Sequence, residues 1–376
     1  MVMTHSDRAL PPERVCPVED PASGLSGVIV IHSTALGPAA GGCRFWHYDN
    51  PAAAVDDALR LAEGMAYKNA VAELPLGGGK AVLRMPEPPF SRTQLFAAFG
   101  RAVKALDGSY VTAEDVGTSV SDMEVVARET RHVAGLPPLP GRPGGDPSPW
   151  TARGVLEGMR IAAELRLGRD LSECTVAVQG LGHVGAHLVR LLHAAGARLI
   201  VADPKPGVAA RLAVECDAEI MSKDAIVDAR ADIFAPCALG GVLNVETAMR
   251  LNARVVCGAA NNQLADDRAA AMLAARDILY APDYVVNAGG IISVAAEYLR
   301  WDASEVQRRV DGTGARLLRV FREADEAGVV PSAAAEALAR RIIATGHAET
   351  ADAASGSGDT SREAESGSAS REPVPV

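Results

Sequence analysis

The chain has 376 residues, 48% hydrophobic and 22% charged, a soluble globular composition long enough for two domains with cores of their own. Its net charge of −10 argues against a nucleic-acid-binding surface, which needs clustered cations to displace counterions. The N-terminus, MVMTHSDRAL, lacks a basic region followed by an apolar run, and no stretch approaches the roughly 18 to 20 apolar residues of a membrane span. No membrane partner is expected, and the expected location is cytoplasmic. Six cysteines, at 16, 43, 174, 216, 237 and 257, form no CxxC pair and sit in apolar segments, as reduced core thiols do. Eight scattered histidines offer no metal-ligand spacing, so no metal is expected.

In chain order, the first region predicts strands over 28–32 and 80–84 and helices over 51–70 and 91–106. Within 51–70, Ala54, Ala58, Leu61, Met65 and Lys68 recur at steps of four and three. Lys68 therefore continues an apolar stripe, although a lysine near a helix C-terminus can also complement the macrodipole and snorkel to water. Lys80 follows Gly77, Gly78 and Gly79, whose missing Cβ atoms permit unusual dihedrals and close approach of another group. It opens the apolar run KAVL, and a lysine at a strand end behind three glycines is poorly explained as a solvated charge. A phosphate-binding P-loop would need glycine at position 74 and Ser or Thr after the lysine, where Leu74 and Ala81 stand.

The Pro- and Gly-rich link LPPLPGRPGGDPSPW precedes the helical TARGVLEGMRIAAEL and marks a domain boundary. A first domain over 1–146 and a second over 147–325 are expected. A helical segment over 326–347 is expected to pack back on the first domain. From 348 to 376 six acids, two arginines and almost no large apolar residue predict a disordered acidic tail.

In the second domain CTVAVQGLGHVG gives a β-rich run followed by Gly180, Gly182 and Gly185 in the GxGxxG spacing, with the helical AHLVRLLHAAG directly after. The first glycine makes a tight turn, the second admits a pyrophosphate to the helix N-terminus, and the third lets helix pack on strand. The next strand, ARLIVAD, ends in Asp203, where an acid accepts hydrogen bonds from ribose hydroxyls and repels a 2′-phosphate. That favours NAD over NADP, with Gly180, Leu181, Gly182, His183, Val184, Gly185, Ala186 and Asp203 as candidate contacts. The alternative is that these glycines only pack a helix and Asp203 caps a turn before Pro204. The βαβ rhythm continues through ADIFAPCALGGVL, ARVVCGAANNQL and ILYAPDYVVNAGG, predicting an α/β fold with a parallel, doubly wound Rossmann sheet. Ala238, Leu239, Ala259, Ala260 and Asn261 fall after its strands, where the nicotinamide half of a cofactor is expected.

Eight blocks in one order, GPAAGGCRFW, EGMAYKNAVAELPLGGGKAVL, TAEDVGTSVSDM, DPSPWTARGV, VQGLGHVG, APCALGG, GAANNQL and NAGGIISVA, resemble the glutamate/leucine/phenylalanine/valine dehydrogenase family, most closely its leucine and valine branch. The resemblance spans about Leu36 to Tyr298. It implies an N-terminal α/β substrate and oligomerisation domain, a Rossmann NAD-binding domain and a homo-oligomer. It also implies the reversible conversion of an L-amino acid, NAD and water to a 2-oxo acid, ammonium and NADH. In that chemistry Lys80 is the general base and Asp115 the proton-exchanging carboxylate. Lys68 anchors the substrate α-carboxylate, Gly41 and Gly42 bring backbone against it, and Asn261, with Asn262 a near-equal candidate, holds substrate and nicotinamide together. Thr151 and Asn287 join the cofactor contacts. A free lysine titrates near pH 10.4, too high for a base at neutral pH, and burial beside the second cation Lys68 is expected to lower that of Lys80.

Glutamate-using relatives place a lysine before the Gly-Gly pair and a serine late in the NAGG block, where this chain has Ala40 and Val294. Burying a side-chain carboxylate there would cost several kcal/mol, and Ala40, Ala113, Ile291 and Val294 are expected to line an apolar pocket. Ala40 is smaller than is usual in the leucine branch, whereas phenylalanine-using relatives tend to carry glycine in place of Ala113. Cys43 stands where threonine is common. A branched aliphatic substrate is expected, with an aromatic one as the alternative. A second alternative is a non-catalytic NAD-binding protein on the same fold.

Overall fold

The computed structural model describes residues 11–138 and 144–356, with backbone alone for 347–356. Its first sheet comprises β1 (Arg14–Asp20), β2 (Leu25–Ser33), β3 (Ala39–Ala40), β4 (Cys43–Trp46), β5 (Gly77–Arg84) and β6 (Tyr110–Val111), accompanied by α1 (Pro51–Val71), α2 (Arg92–Lys104) and α3 (Val120–Ala127). The order is β1-β2-β5-β3-β6, with β4 also on β5. Strand β1 is antiparallel to β2 and β2 to β5, whereas β3 and β4 run parallel to β5.

The three glycines belong to strand β5 itself, not to a loop before it, so Lys80 lies within the strand. None of them has a positive φ. What they supply is proximity: a Cβ on Gly78 would stand 2.1 Å from the backbone nitrogen of Ala66, and one on Gly77 would stand 1.9 Å from the Ser33 carbonyl oxygen. Helix α1 therefore packs backbone to backbone on β5, through the small stripe Ala54, Ala58, Ala62 and Ala66. Leu61, Met65 and Lys68 lie on the shoulder of that stripe, each partly exposed, because so close a seam leaves no room for long side chains. Asn50 caps α1 by accepting from the Ala53 N–H, and Pro51 occupies the first turn where its missing donor costs nothing.

The second sheet is entirely parallel: β7 (Thr175–Gln179), β8 (Arg198–Ala202), β9 (Glu219–Ile220), β10 (Ile233–Pro236), β11 (Val255–Val256) and β12 (Leu279–Tyr280). Their order, β12-β11-β10-β7-β8-β9, is the doubly wound 3-2-1-4-5-6 arrangement read from the opposite edge, with its switch point between β7 and β10. The helices are α4 (Ser148–Leu167), α5 (His183–Ala194), α6 (Pro206–Cys216), α7 (Val245–Arg250), α8 (Asp267–Ala275), α9 (Asp283–Val286), α10 (Gly289–Leu299), α11 (Ala303–Asp311), α12 (Thr313–Ala327) and α13 (Pro331–Gly356).

Helix α13 packs against α1 and α12. It runs to Gly356, past residue 348 where the acidic tail was expected to begin, and the remainder of that segment lies outside the described residues. Apolar residues of both regions meet in one cluster, where Ala40, Leu74, Leu76 and Val111 pack with Ala288, Ile292 and Val306. Among the described residues no helix is long and apolar enough to cross a membrane.

Candidate active site

Strands β3 and β4 share one register against β5, Ala39 opposite Gly77, Ala40 opposite Gly78 and Cys43 opposite Ala81. Between them Gly41 and Gly42 interrupt the strand beside Gly79 and Lys80. A Cβ on Gly41 would meet the Gly79 carbonyl oxygen at 1.7 Å, and one on Gly42 would meet the Asp115 Cβ at 2.8 Å. Only glycine lets this break lie so close to both. The Tyr110 hydroxyl fixes it by donating to the Gly41 carbonyl at 2.7 Å.

Lys80, 4% exposed, reaches Asp115 with Nζ 2.9 Å from Oδ2. Its nearest charged neighbour is thus an anion, where the sequence had suggested the cation Lys68. Burial alone would raise the Asp115 carboxyl, but Lys80 and Arg44 outweigh it and hold the group below its ordinary range. Arg44 is itself a finding of the structure: Nε lies 3.1 Å from the same Oδ2, and Nη1 lies 2.8 Å from Asp57 on α1. A charge inside the run CRFW was its only signal in the sequence.

Lys68 faces the same space from α1. Its Nζ donates to Asn261 Oδ1 at 3.0 Å, a bond that crosses from the first region to the loop after β11. Asn287 donates to that same oxygen at 2.8 Å and to the Ala259 carbonyl at 3.1 Å. Burial within the cleft lowers Lys68 to about 8, partly opposed by Asp283 and reinforced by Lys80. Asp283, unnoticed in the sequence, is buried with its oxygens on the N–H groups of Gln263 and Tyr284, and burial raises its carboxyl. Of the paired asparagines, Asn261 bonds to Lys68. Asn262 takes a left-handed turn conformation, φ 52°, with its carbonyl accepting from Gly241.

The four residues expected to line one apolar pocket fall in two places, and the second of these is also lined by Glu297. Ala40 and Ile291 belong to the cluster that joins the domains, and Ala113 and Val294 line a cavity of about 60 Å³ with Glu114, Gly135, Pro147 and Ser293. Cys43 is wholly buried behind Lys80 and Asp115, and burial pushes its thiol well up, so it is an inert wall of the site.

In the glycine loop, Gly180 takes φ +95° and faces Ala238, and a Cβ on Gly185 would strike the Gly180 carbonyl at 2.0 Å. Around Gly182 there is open space, since a Cβ there would meet nothing within 4 Å. Helix α5 begins at His183, so the first-turn N–H groups of His183, Val184, Gly185 and Ala186 border that space. Only the last is taken up, by Gly182. Asp203 accepts from the Leu181 N–H and the Lys205 N–H, both at 2.8 Å, so it braces the loop and forms a turn besides any ligand contact. Leu239 is 82% exposed beside this loop, and Ala259 and Ala260 are buried behind Asn261. The Thr151 hydroxyl donates to the Pro147 carbonyl and stands 2.7 Å from where a Gly290 Cβ would be. These residues suit a dinucleotide: an open glycine loop at a helix N-terminus, an acid at the next strand end, and a buried Asn287 Oδ1 with no hydrogen-bond partner.

The description "Glu/Leu/Phe/Val dehydrogenase, dimerisation domain" matches residues 12–132, and "Glutamate/Leucine/Phenylalanine/Valine dehydrogenase" matches 205–350. Leucine dehydrogenase of Thermoactinomyces intermedius is 46% identical over 332 residues, covering 88% of this chain and 90% of that protein. Valine dehydrogenase of Streptomyces albus is 48% identical over 348 residues, covering 92% and 95%. The solved structure of L-tryptophan dehydrogenase from Nostoc punctiforme superposes with a TM-score of 0.81 at 38% identity, covering 91% of this chain and 98% of that one. With two facing lysines, a paired carboxylate and a doubly wound second domain, and with relatives this similar along most of its length, the chain is an amino acid dehydrogenase of the Glu/Leu/Phe/Val dehydrogenase family.

Proposed function

We propose that this enzyme catalyses the NAD-dependent, reversible oxidative deamination of a branched aliphatic L-amino acid to its 2-oxo acid, with release of ammonium. The observation that carries the reading is the convergence of Lys80–Asp115 and Lys68–Asn261 in one cleft. Lys68 holds the substrate α-carboxylate as a point charge, assisted by backbone at Gly41 and Gly42. Asn261, fixed by Asn287, orients the substrate against the cofactor face of the cleft. Lys80 and Asp115 form a pair that accepts the ammonium proton and then activates water at the imine carbon. NAD, when bound, takes the hydride from the α-carbon; Asp203 and the open Gly182 loop favour it over a 2′-phosphorylated cofactor.

Ala40, Ala113, Ile291 and Val294 bring no charge to the substrate side chain, which supports an aliphatic group and disfavours glutamate. Leucine and valine dehydrogenases among the relatives weigh the same way. The matched description of the first region as a dimerisation domain supports a homo-oligomer.

Initial rates of NADH formation across the amino acids test the reading: leucine, isoleucine or valine should give the highest kcat/KM, and no turnover with any of them overturns it. A Lys80→Ala variant should lose at least about 1000-fold in kcat while binding NADH as the wild type does.

A further inference from the structure

The two oxygens of Asp115 are not equivalent. Lys80 Nζ approaches Oδ2 at 2.9 Å and Arg44 Nε approaches the same atom at 3.1 Å; both contacts fall on Oδ2. Arg44 extends its other branch to Asp57 Oδ2 at 2.8 Å. Asp57 is itself held, since Tyr48 donates to Oδ2 at 2.7 Å and Arg60 Nη2 lies 2.7 Å from Oδ1. One guanidinium on β4 thereby ties α1, which carries Lys68, to the loop that carries Asp115, and through that carboxylate to Lys80 on β5.

We infer that Arg44 is a positioning residue that pins Asp115 by Oδ2 and leaves Oδ1 as the atom exchanging a proton with the substrate's amino group. The inference rests on the deamination reading. In that step an N–H bond of the substrate ammonium breaks, an O–H bond forms at Oδ1, and the electron pair stays on nitrogen as the neutral amine. The proton then passes from Oδ1 to solvent water, which restores the carboxylate. A carboxylate free to rotate would present either oxygen, and the shared oxygen, already facing two cations, is the poorer proton acceptor. The planar fork of arginine suits this task because it spans two carboxylates at once, which a lysine ammonium at the same place cannot do as well.

The test compares Arg44→Gln, Arg44→Lys and Asp57→Asn with the wild type in steady-state deamination of leucine or valine, with NADH binding followed by fluorescence. Arg44→Gln should lower kcat about 100-fold with KM for the amino acid and NADH affinity within about threefold, because Lys68 and the glycine loop are untouched. The acid limb of its kcat profile should move up by about one pH unit, since a carboxylate relieved of one cation holds the proton of the Lys80–Asp115 pair more tightly. Arg44→Lys should restore the position of that limb and only part of kcat. Asp57→Asn should shift both quantities in the same direction as Arg44→Gln but less, and it carries the test alone should Arg44→Gln fail to fold. A wild type without turnover overturns the deamination reading and this inference with it. Wild-type turnover together with variants that keep its kcat and pH profile overturns the inference alone.

Discussion

The two walls of the cleft are both built on glycine, and they use it for opposite purposes. In the first wall Gly77, Gly78 and Gly79 lie in a strand of ordinary backbone conformation and are filled to contact by α1 and neighbouring strands. In the second wall Gly180 needs its positive φ, and Gly182 faces empty space at the start of α5. The first wall spends its glycines on rigidity, which is what a pair of buried charges needs if it is to keep one geometry. The second keeps a space open, which is what a large, exchangeable ligand needs. Glycine content alone does not separate the two; the atoms facing the missing Cβ do.

The sharpest way to break this comparison is Gly78→Ala. A Cβ would stand 2.1 to 2.4 Å from three atoms of Ala66, two of them backbone, so the helix must move rather than a side chain. We expect a loss of at least about 4 kcal/mol, read as little folded protein and a collapsed denaturant midpoint. A variant that folds with a wild-type midpoint would show that the α1–β5 seam is loose.

This seam also shows where the sequence was legible. The periodicity of 51–70 and the glycine-flanked Lys80 were both readable, because amphipathic spacing and a misplaced charge are local signals. That the glycines were strand was not readable: their role depends on Ala66, a dozen residues away, and on Ser33, on another strand. The strand, glycine turn and helix around Gly180, Gly182 and Gly185 were legible, since they are contiguous in the chain. The roles given to Lys68 and Lys80, and the choice of Asp115, came from the family resemblance, and the convergence of the three is visible only in the fold. Arg44 and Asp283 escaped because an isolated charge in a sequence does not announce its partner. Asn261 and Asn262 are alike in the sequence, and only the fold shows that Asn261 bonds to Lys68 while Asn262 sits in a left-handed turn at φ 52°.

A pH series sharpens the comparison next, because the proposed function has the first wall anchor its ligand by charge. Lys68 sits near 8 in the folded protein against an ordinary 10.5. Its ammonium is therefore present below about pH 8 and lost above it. Binding of the 2-oxo acid should be strongest below that point and should weaken by up to about tenfold per unit above it. Stability should run the other way. The unfolded chain holds the Lys68 proton more tightly than the folded one, so folding gains as pH climbs from about 8 toward 10.5. Lys68→Met should remove this component from both curves while NADH binding stays unchanged; a Met variant with the wild-type pH dependence would assign the titration elsewhere.

For the second wall the matching change is Gly182→Ala. With nothing within 4 Å of the new methyl, stability should stay within about 0.5 kcal/mol of wild type. The methyl occupies the space that the proposed function gives to the pyrophosphate, so NADH affinity should fall about fivefold, close to 1 kcal/mol. The same substitution type would thus unfold one wall and only weaken a ligand at the other. If Gly182→Ala costs as much stability as Gly78→Ala, the distinction between filled and open glycines fails.

The smallest effect is expected where the walls are joined. Glu297, on α10, accepts from the N–H groups of Gly135 and Leu136 in the first region, at 2.9 and 3.0 Å. Burial raises its carboxyl, and the two N–H donors oppose that rise. With its folded value above the unfolded one, this group favours folding most when protonated, and its contribution declines as pH rises through the carboxyl range. Glu297→Gln removes the burial cost of the charge but turns one acceptor oxygen into a donor facing an N–H. Gain and loss nearly cancel, so the net change at neutral pH should stay within about 1 kcal/mol, with a flatter stability curve through the carboxyl range. The contact bridges the two walls, and so kcat should change, by about twofold, more than either wall's own ligand affinity. A large loss of stability would mean that this carboxylate holds the walls together rather than setting their spacing.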